Sequence, residues 1–267
     1  RIEKVLRENE KSLQNRNKIF EADLKNAQVL QRALLPDSPP QYKNLNIDFK
    51  YHPLEAVGGD FFSFTDLKEG GKGIFIGDVE SHGVSASLFI SLLKFATNSA
   101  CRLFGQNPME YLTKLNEDLI GNMANTYMTG MYVFLKFNEK NDLLEVTISS
   151  GGHPRPLFQS FNTGKVNQID ITGPIIGYQT GIGFTEISYE LMRGDRIYLY
   201  TDGLKDVLND EREILDTEGL IAIIEKVSKK NISKTIDNIF SEISHYNDGE
   251  TFIDDALLIV IENSVKF

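Results

Sequence analysis

Cysteine is nearly absent. Cys101 stands alone among 267 residues, so no internal disulfide can form and stability must come from packing. That usage fits a reducing compartment, and a cytoplasmic setting is expected, either free or as the cytoplasmic part of a membrane-anchored sensor. No apolar run approaches the ~18 residues that a membrane-spanning helix needs, and no signal-peptide pattern opens the chain. Positive charge is also short: 28 Lys and Arg face 38 Asp and Glu, leaving −10, a balance that argues against general nucleic-acid binding. Tryptophan is missing and the eight prolines are few. What remains, 41% apolar and 25% charged, describes an ordinary globular chain with room for one large domain or two modest ones. The opening residue is Arg1 rather than Met, so the sequence is read as a piece of a longer protein.

Residues 1–35 differ from the rest. They carry eight basic and five acidic residues, a balance of +3, which leaves −13 for residues 36–267. They hold no Gly or Pro, and apolar residues recur every seven positions at Leu6, Leu13, Phe20, Ala27 and Leu34. This is a helical period. The second column of a coiled coil holds Asn9, Arg16 and Asp23 instead of apolar residues, which weakens a coiled-coil reading. At 1.5 Å per residue the helix spans roughly 50 Å. The alternatives are a helix folded back on its own domain and a linker or dimerisation helix; the second is preferred. Pro36 and Pro39-Pro40 end it.

Beyond Pro36 the pattern alternates between strand-like and helix-like stretches. Strands are expected at Asn46–His52, Phe61–Asp66 and Lys72–Val79, the last two joined by a Glu69-Gly70-Gly71 hairpin. Helices are expected at Ser85–Phe104, with Leu88, Leu92, Phe95 and Ala96 on one face, and at Pro108–Asn122. Strands resume at Thr129–Phe137, Leu143–Ser149, Pro156–Gln159, Lys165–Ile169, Phe184–Leu191 and Arg196–Thr201. Two more helices, Glu218–Lys229 and Ser233–His245, precede a final apolar run at Ala256–Ile261. Strands in hairpin-linked runs and helices in pairs indicate an α+β fold with antiparallel sheets.

Four places set an aspartate at the margin of an apolar strand: Asp60 before Phe61-Phe62, Asp78 after Ile74-Phe75-Ile76-Gly77, Asp202 after Ile197–Thr201, and Asp254-Asp255 before the final run. A carboxylate at a buried strand end costs desolvation unless it is paired. No basic residue recurs at a matching place beside all four, and a divalent cation is the simplest common partner, since Mg²⁺ and Mn²⁺ take oxygen ligands. Any one Asp-Gly pair, Asp202-Gly203 included, is more often a turn. The four together point to a metal site.

The segments LQRALLP (Leu30–Pro36), AVGGDFF (Ala56–Phe62), GDVESHGVSASL (Gly77–Leu88), SGGHPRP (Ser150–Pro156), GDRIYLYTDGLKD (Gly194–Asp206) and DDALLIV (Asp254–Val260) occur in that order. In this ordered set the chain resembles the bacterial SpoIIE-type branch of the metal-dependent serine/threonine phosphatases, relatives of protein phosphatase 2C. The resemblance implies an αββα sandwich, two antiparallel sheets between helix pairs, over residues 36–267. It implies two Mn²⁺ or Mg²⁺ ions at one edge: Asp78 bridging, the Val79 carbonyl on one ion, Asp202 and Asp254 on the other, and Asp60 supporting the second. Asp255 is a second choice as ligand. Two ions roughly 3.5–4 Å apart acidify water and clamp phosphoryl oxygens, so phosphate monoester hydrolysis needs no phospho-enzyme. The resemblance further implies a phosphorylated anti-sigma-factor antagonist as substrate, and residues 1–35 are expected to join an upstream sensor domain and to pair two chains as a homodimer.

Where the family usually has Gly-Lys-Gly or Gly-His-Gly, this chain has Ser81-His82-Gly83, and Leu257 stands where Thr is usual. His82 is a candidate general acid for the leaving alkoxide. His153 is expected to fix a turn, His52 and His245 to be structural, and Cys101 to be a small core residue. The rival readings are a non-catalytic binding module on the same fold and a metal phosphodiesterase.

Overall fold

The computed structural model describes residues 2–42, 44–54, 57–68, 70–80, 84–122, 126–228, 231–249 and 252–264. The chain opens with α1 (Ile2–Leu34), then β1 (Leu45–His52), β2 (Asp60–Asp66) and β3 (Lys72–Val79). Helices α2 (Val84–Phe104) and α3 (Pro108–Leu119) follow, then β4 (Met128–Asn138), β5 (Leu143–Gly151), β6 (Leu157–Gln159) and β7 (Val166–Gln168). Next come β8 (Glu186–Leu191), β9 (Arg196–Tyr200), a 3-10 turn at Asp202–Leu204, α4 (Asp216–Val227), α5 (Ile232–Tyr246) and β10 (Ala256–Asn263). The strands form two five-stranded sheets, ordered β2-β3-β4-β5-β8 and β1-β10-β9-β6-β7. Every strand pair within them is antiparallel.

Side-chain alternation builds the layers. In β3, Ile74 and Ile76 point into a core between the sheets, where they meet Ile197, Leu199, Leu257 and Ile259 of the second sheet. Phe75 points the other way, onto Leu93 of α2 and Leu112 of α3. In β10, Leu257, Ile259 and Ile261 join the inter-sheet core, whereas Leu258 and Val260 pack with Leu220 and Ile224 of α4 and Ile236 and Ile239 of α5. A strand covered on both faces must be apolar at every position, which accounts for the unbroken run at Ala256–Ile261. The result is a helix pair, two sheets and a second helix pair: the expected αββα sandwich.

Two helical expectations need correcting. The expected face of α2 is only partly buried: Leu88 and Phe95 are 71% and 73% exposed, whereas Ala96 of that face is buried with Ile90, Leu93 and Ala100, and Leu92 packs beside them. Apolar residues run nearly all round this helix, so periodicity alone did not select the core face. And α3 stops at Leu119 rather than Asn122, because Gly121 takes φ +77° and the Asn122 N–H donates back to the Leu119 carbonyl at 3.0 Å.

Helix α1 reaches Leu34 as the prolines require, but only its last turns rest on the domain. Ala27 and Gln31 are buried, with Leu34 and Leu35 packed beside α2, whereas Leu6, Leu13 and Phe20 are exposed. Among the described residues no helix is long and apolar enough to cross a membrane.

Cys101 is buried and free, its sulfur 3.7 Å from the Tyr132 hydroxyl, as a core residue should be. His153 does more than hold a local turn. It is buried just after β5, with Nδ1 3.0 Å from the Thr129 hydroxyl of β4, and burial pushes its pKa down to about 3. Between pH 6.5 and about 3 the unfolded chain takes up a proton that the folded one refuses, so this residue makes stability rise with pH across that window. Going from pH 7 to pH 5 the contribution lost is on the order of 2 kcal/mol. Urea melts at the two pH values are expected to show a smaller pH 5 deficit for His153→Asn than for wild type; equal deficits refute the assignment.

Candidate metal centre

The two sheets bring their acidic strand ends to one edge of the sandwich. Asp60 opens β2 and pairs directly with Asp78 near the end of β3, which in turn faces Thr129 on β4. In the other sheet Asp202 follows β9, and Asp254-Asp255 precede the adjoining β10, where Leu258 pairs with Tyr200. Between them lies an open cleft of about 1000 Å³ whose walls include Asp78, Val79, Glu80, Asp202, Asp254 and Asp255. Asp60 is not a wall residue; it is buried.

Hydrogen bonds divide the carboxylates into two kinds. Asp255 is occupied: Oδ1 accepts from the Leu54 N–H at 2.8 Å, and Oδ2 accepts from the Gly59 N–H at 2.7 Å, the Asp60 N–H at 3.4 Å and the Tyr51 hydroxyl at 3.3 Å. It therefore staples the 57–60 segment to the head of β10. Two glycines make room for it: a Cβ on Gly58 would stand 1.8 Å from Asp255 Oδ2, and one on Gly203 2.1 Å from the Asp255 carbonyl oxygen. Asp254 accepts a bond from the next backbone N–H, at 2.7 Å, and is exposed to the cleft, so of the neighbouring pair it is the better placed to bind an ion.

Thr201 ties the two sheets together beneath the cleft. Its hydroxyl donates to Asp60 Oδ2 at 2.8 Å and accepts from the Leu257 N–H at 3.0 Å. Gln31 of α1 makes a two-way contact with Gly58, its amide donating to the carbonyl at 2.7 Å and accepting from the N–H at 3.2 Å. The long helix is thus bonded to the backbone two residues before Asp60.

Like charges crowd this edge. Burial, then the charges of Asp202, Asp254 and Asp255, push the Asp78 carboxyl up to about 7. Asp60 is raised well above the carboxylate range by burial and by Asp78 and Asp255, against the lowering effect of the Thr201 bond. Asp254 is raised too, by desolvation first and then by Asp202 and Asp255. Among the described residues no Lys or Arg lines the cleft. Among the described residues no three carboxylate, imidazole or thiol groups form a ready-made ligand shell. The donors nevertheless fit a hard divalent ion: all are oxygens, and the mutual repulsion that raises Asp78 and Asp254 is of the kind a cation relieves.

Of the sequence-predicted positions, Asp78, Val79, Asp202, Asp254 and Asp255 line one cleft and Asp60 lies beneath it. His82 falls outside the described residues. His52 is exposed, its ring 5.2 Å from that of Phe252, and His245 is an exposed residue of α5. Thr201, Gln31 and Tyr51 were not anticipated as parts of the site. Thr201 and Gln31 sit inside the recognised motifs, which was a usable signal; Tyr51 reaches Asp255 across 204 residues of sequence and carried none.

Known proteins share this architecture. The profile of the Stage II sporulation protein E (SpoIIE) family matches residues 68–264, well over half of the chain. The phosphoserine phosphatase RsbU of Bacillus subtilis (strain 168) is 26% identical over 247 residues, 92% of this chain and 71% of that protein. Among solved structures, the SiaA-PP2C domain of Pseudomonas aeruginosa superposes with a TM-score of 0.78 at 20% identity, covering 93% of this chain and 97% of that one. The RsbU and RsbW domains of Rv1364c from Mycobacterium tuberculosis give 0.70 at 23% identity, covering 86% and 64%. At those identities the structural likenesses speak for the fold. With the family profile spanning every acidic strand end except Asp60, the chain belongs to the SpoIIE-type branch of the metal-dependent serine/threonine phosphatases.

Proposed function

We propose that this chain is a Mn²⁺- or Mg²⁺-dependent protein-serine/threonine phosphatase acting on the phosphorylated anti-sigma-factor antagonist of a bacterial partner-switching pathway, in the cytoplasm. The observation that carries the reading is the meeting of Asp78, Asp202 and Asp254 at one cleft, backed by buried Asp60, with no basic residue in its walls among the described residues. The family membership and the phosphoserine phosphatase at 26% identity support the substrate class.

In this reading Asp78, Asp202, Asp254 and the Val79 carbonyl hold two ions, with Asp60 supporting them from below. The ions, when bound, neutralise the phosphate dianion and make water a nucleophile near neutral pH. The chain's own residues do the rest. Asp78 stands centrally, between a ladder partner in its own sheet and three carboxylates across the cleft, so it is the natural bridging group. Thr201 and the Asp60–Asp78 pairing fix the orientation of Asp60. Asp255 holds the 57–60 backbone in place. The open cleft admits a phosphoserine carried on a folded protein, and the −13 charge of residues 36–267 leaves phosphate attraction to the cations. His82 is assigned proton donation to the leaving seryl oxygen on its place four residues after Asp78.

Helix α1 is proposed to join an upstream sensor domain and to pair with α1 of a second copy through Leu6, Leu13 and Phe20, which are 58–61% exposed at seven-residue spacing. Its bond to Gly58 through Gln31 supplies the route from that helix to the metal edge.

Three outcomes are expected. Asp202→Asn should reduce manganese-dependent release of phosphate to background, while its melting temperature holds or rises because one like charge is gone; retained turnover would mean that other carboxylates hold the ions. Gln31→Ala should raise the manganese concentration for half-maximal activity about tenfold, the scale of an outer-shell contact; an unchanged metal requirement would uncouple α1 from the site. In sedimentation equilibrium, the chain should be dimeric and the Leu13→Asp, Phe20→Asp double variant monomeric, and a monomeric wild type would refute pairing through α1.

A further inference from the structure

A second, smaller recess opens beside the metal edge. It measures about 290 Å³ and shares Thr129 and Asp202 with the larger cleft. Its other walls include Arg155, Lys205, Gln168 and Thr217. Chemically the two spaces are opposites. Among the described residues the larger is lined by five acidic side chains and no basic one, whereas the smaller presents two cations against one carboxylate, Asp202. In a domain carrying −13, such a pairing of cations next to the reaction edge calls for an occupant.

Both cations are held by stiff backbone, and Arg155 is loosely paired. Arg155 lies between Pro154 and Pro156, and the Pro156 carbonyl accepts from the Ile169 N–H at 2.8 Å, which anchors the segment. Lys205 follows the 3-10 turn directly, its N–H donating to the Asp202 carbonyl at 2.9 Å, so its position is locked to that of a proposed metal ligand. Arg155 pairs with Asp170 at 3.2 Å, where the side chains are 44% and 87% exposed, and Lys205 pairs with its neighbour Asp206. The Arg155 pair is exposed and therefore weak, so an incoming oxyanion competes with it readily, whereas Lys205, only 23% exposed, is held more closely by Asp206. Arg presents a planar fork suited to a carboxylate, and Thr129, Thr217 and Gln168 add neutral polar groups. The volume, roughly ten waters' worth, accommodates a side-chain carboxylate or a phosphate together with part of its hydration.

We propose that this recess is an oxyanion subsite that receives an Asp or Glu side chain of the phosphoprotein substrate close to its phosphoserine, held by Arg155 and Lys205. The inference rests on the phosphatase reading and sharpens it: the net charge of the domain disfavours acidic partners at long range, so a local cation pair selects among them at contact. Free phosphate offers the same oxyanion chemistry, and the test separates the two sources.

Two phosphoserine peptides, one with flanking acids and one with those acids replaced by their amides, are compared on wild type, Arg155→Gln and Lys205→Gln, with an aryl phosphate as control. Wild type should favour the acidic peptide, and either variant should raise its KM about tenfold, the scale of one charge-assisted hydrogen bond. Turnover number, the amide peptide and the aryl phosphate should be unaffected. Equal KM values for the two peptides on wild type would overturn the subsite, as would a variant that slows the aryl phosphate by the same factor. If the variants change only inhibition by inorganic phosphate, the recess holds product and the carboxylate assignment is wrong. Calorimetric titration with the same peptides reads the subsite without turnover: a binding preference that Arg155→Gln abolishes, in a chain that hydrolyses nothing, would retain the subsite and reject the phosphatase reading.

Discussion

Mutual repulsion among carboxylates governs the working edge of this molecule. Asp60, Asp78, Asp202, Asp254 and Asp255 come from both sheets, and the first two sit directly across a ladder from one another. Left to solvent these side chains would separate; here strand register and backbone hydrogen bonds hold them together. The energy for that comes from elsewhere in the fold. Three apolar layers, one between the sheets and one under each helix pair, fix the strands so firmly that their charged ends have no freedom to move apart. Stability is given up at the edge in exchange for a place where cations bind, as functional sites commonly require.

Asp255 and Thr201 show how the arrangement is maintained without adding positive charge. Backbone N–H groups and hydroxyls satisfy the buried oxygens, so the carboxylates beneath the cleft are oriented while the wall carboxylates stay available. An Arg or Lys in the same position would have neutralised the site and removed its appetite for cations. Basic residues stand instead at Arg155 and Lys205 in the adjoining recess, which shares Asp202 with the cleft. Separating the two signs into adjoining spaces is the economy of this active edge.

The helix at the start of the chain is bound to the same constraint. Its last turns bury Ala27 and Gln31, and Gln31 grips both polar groups of Gly58. Displacement of that helix moves the backbone leading into Asp60. Along its earlier turns Leu6, Leu13 and Phe20 are exposed.

Much of this was legible beforehand because it is local. Alternation along Lys72–Val79, the proline stop after Leu34 and the Gly70-Gly71 hairpin each follow from nearest-neighbour chemistry, and the observed elements match them within a residue or two. The acidic strand ends were visible for the same reason, as charges where an apolar run should continue. Only tertiary structure decided which face of α2 is buried, because its apolar residues surround the helix and the sheet beneath makes the choice. It also separated Asp254 from Asp255: adjacent identical residues share every local property, and the difference lies in Leu54, Gly59 and Tyr51, brought from about 200 positions away. The pairing of Arg155 with Lys205 is of that kind too, since two cations fifty residues apart in sequence acquire meaning only when folding sets them in one recess.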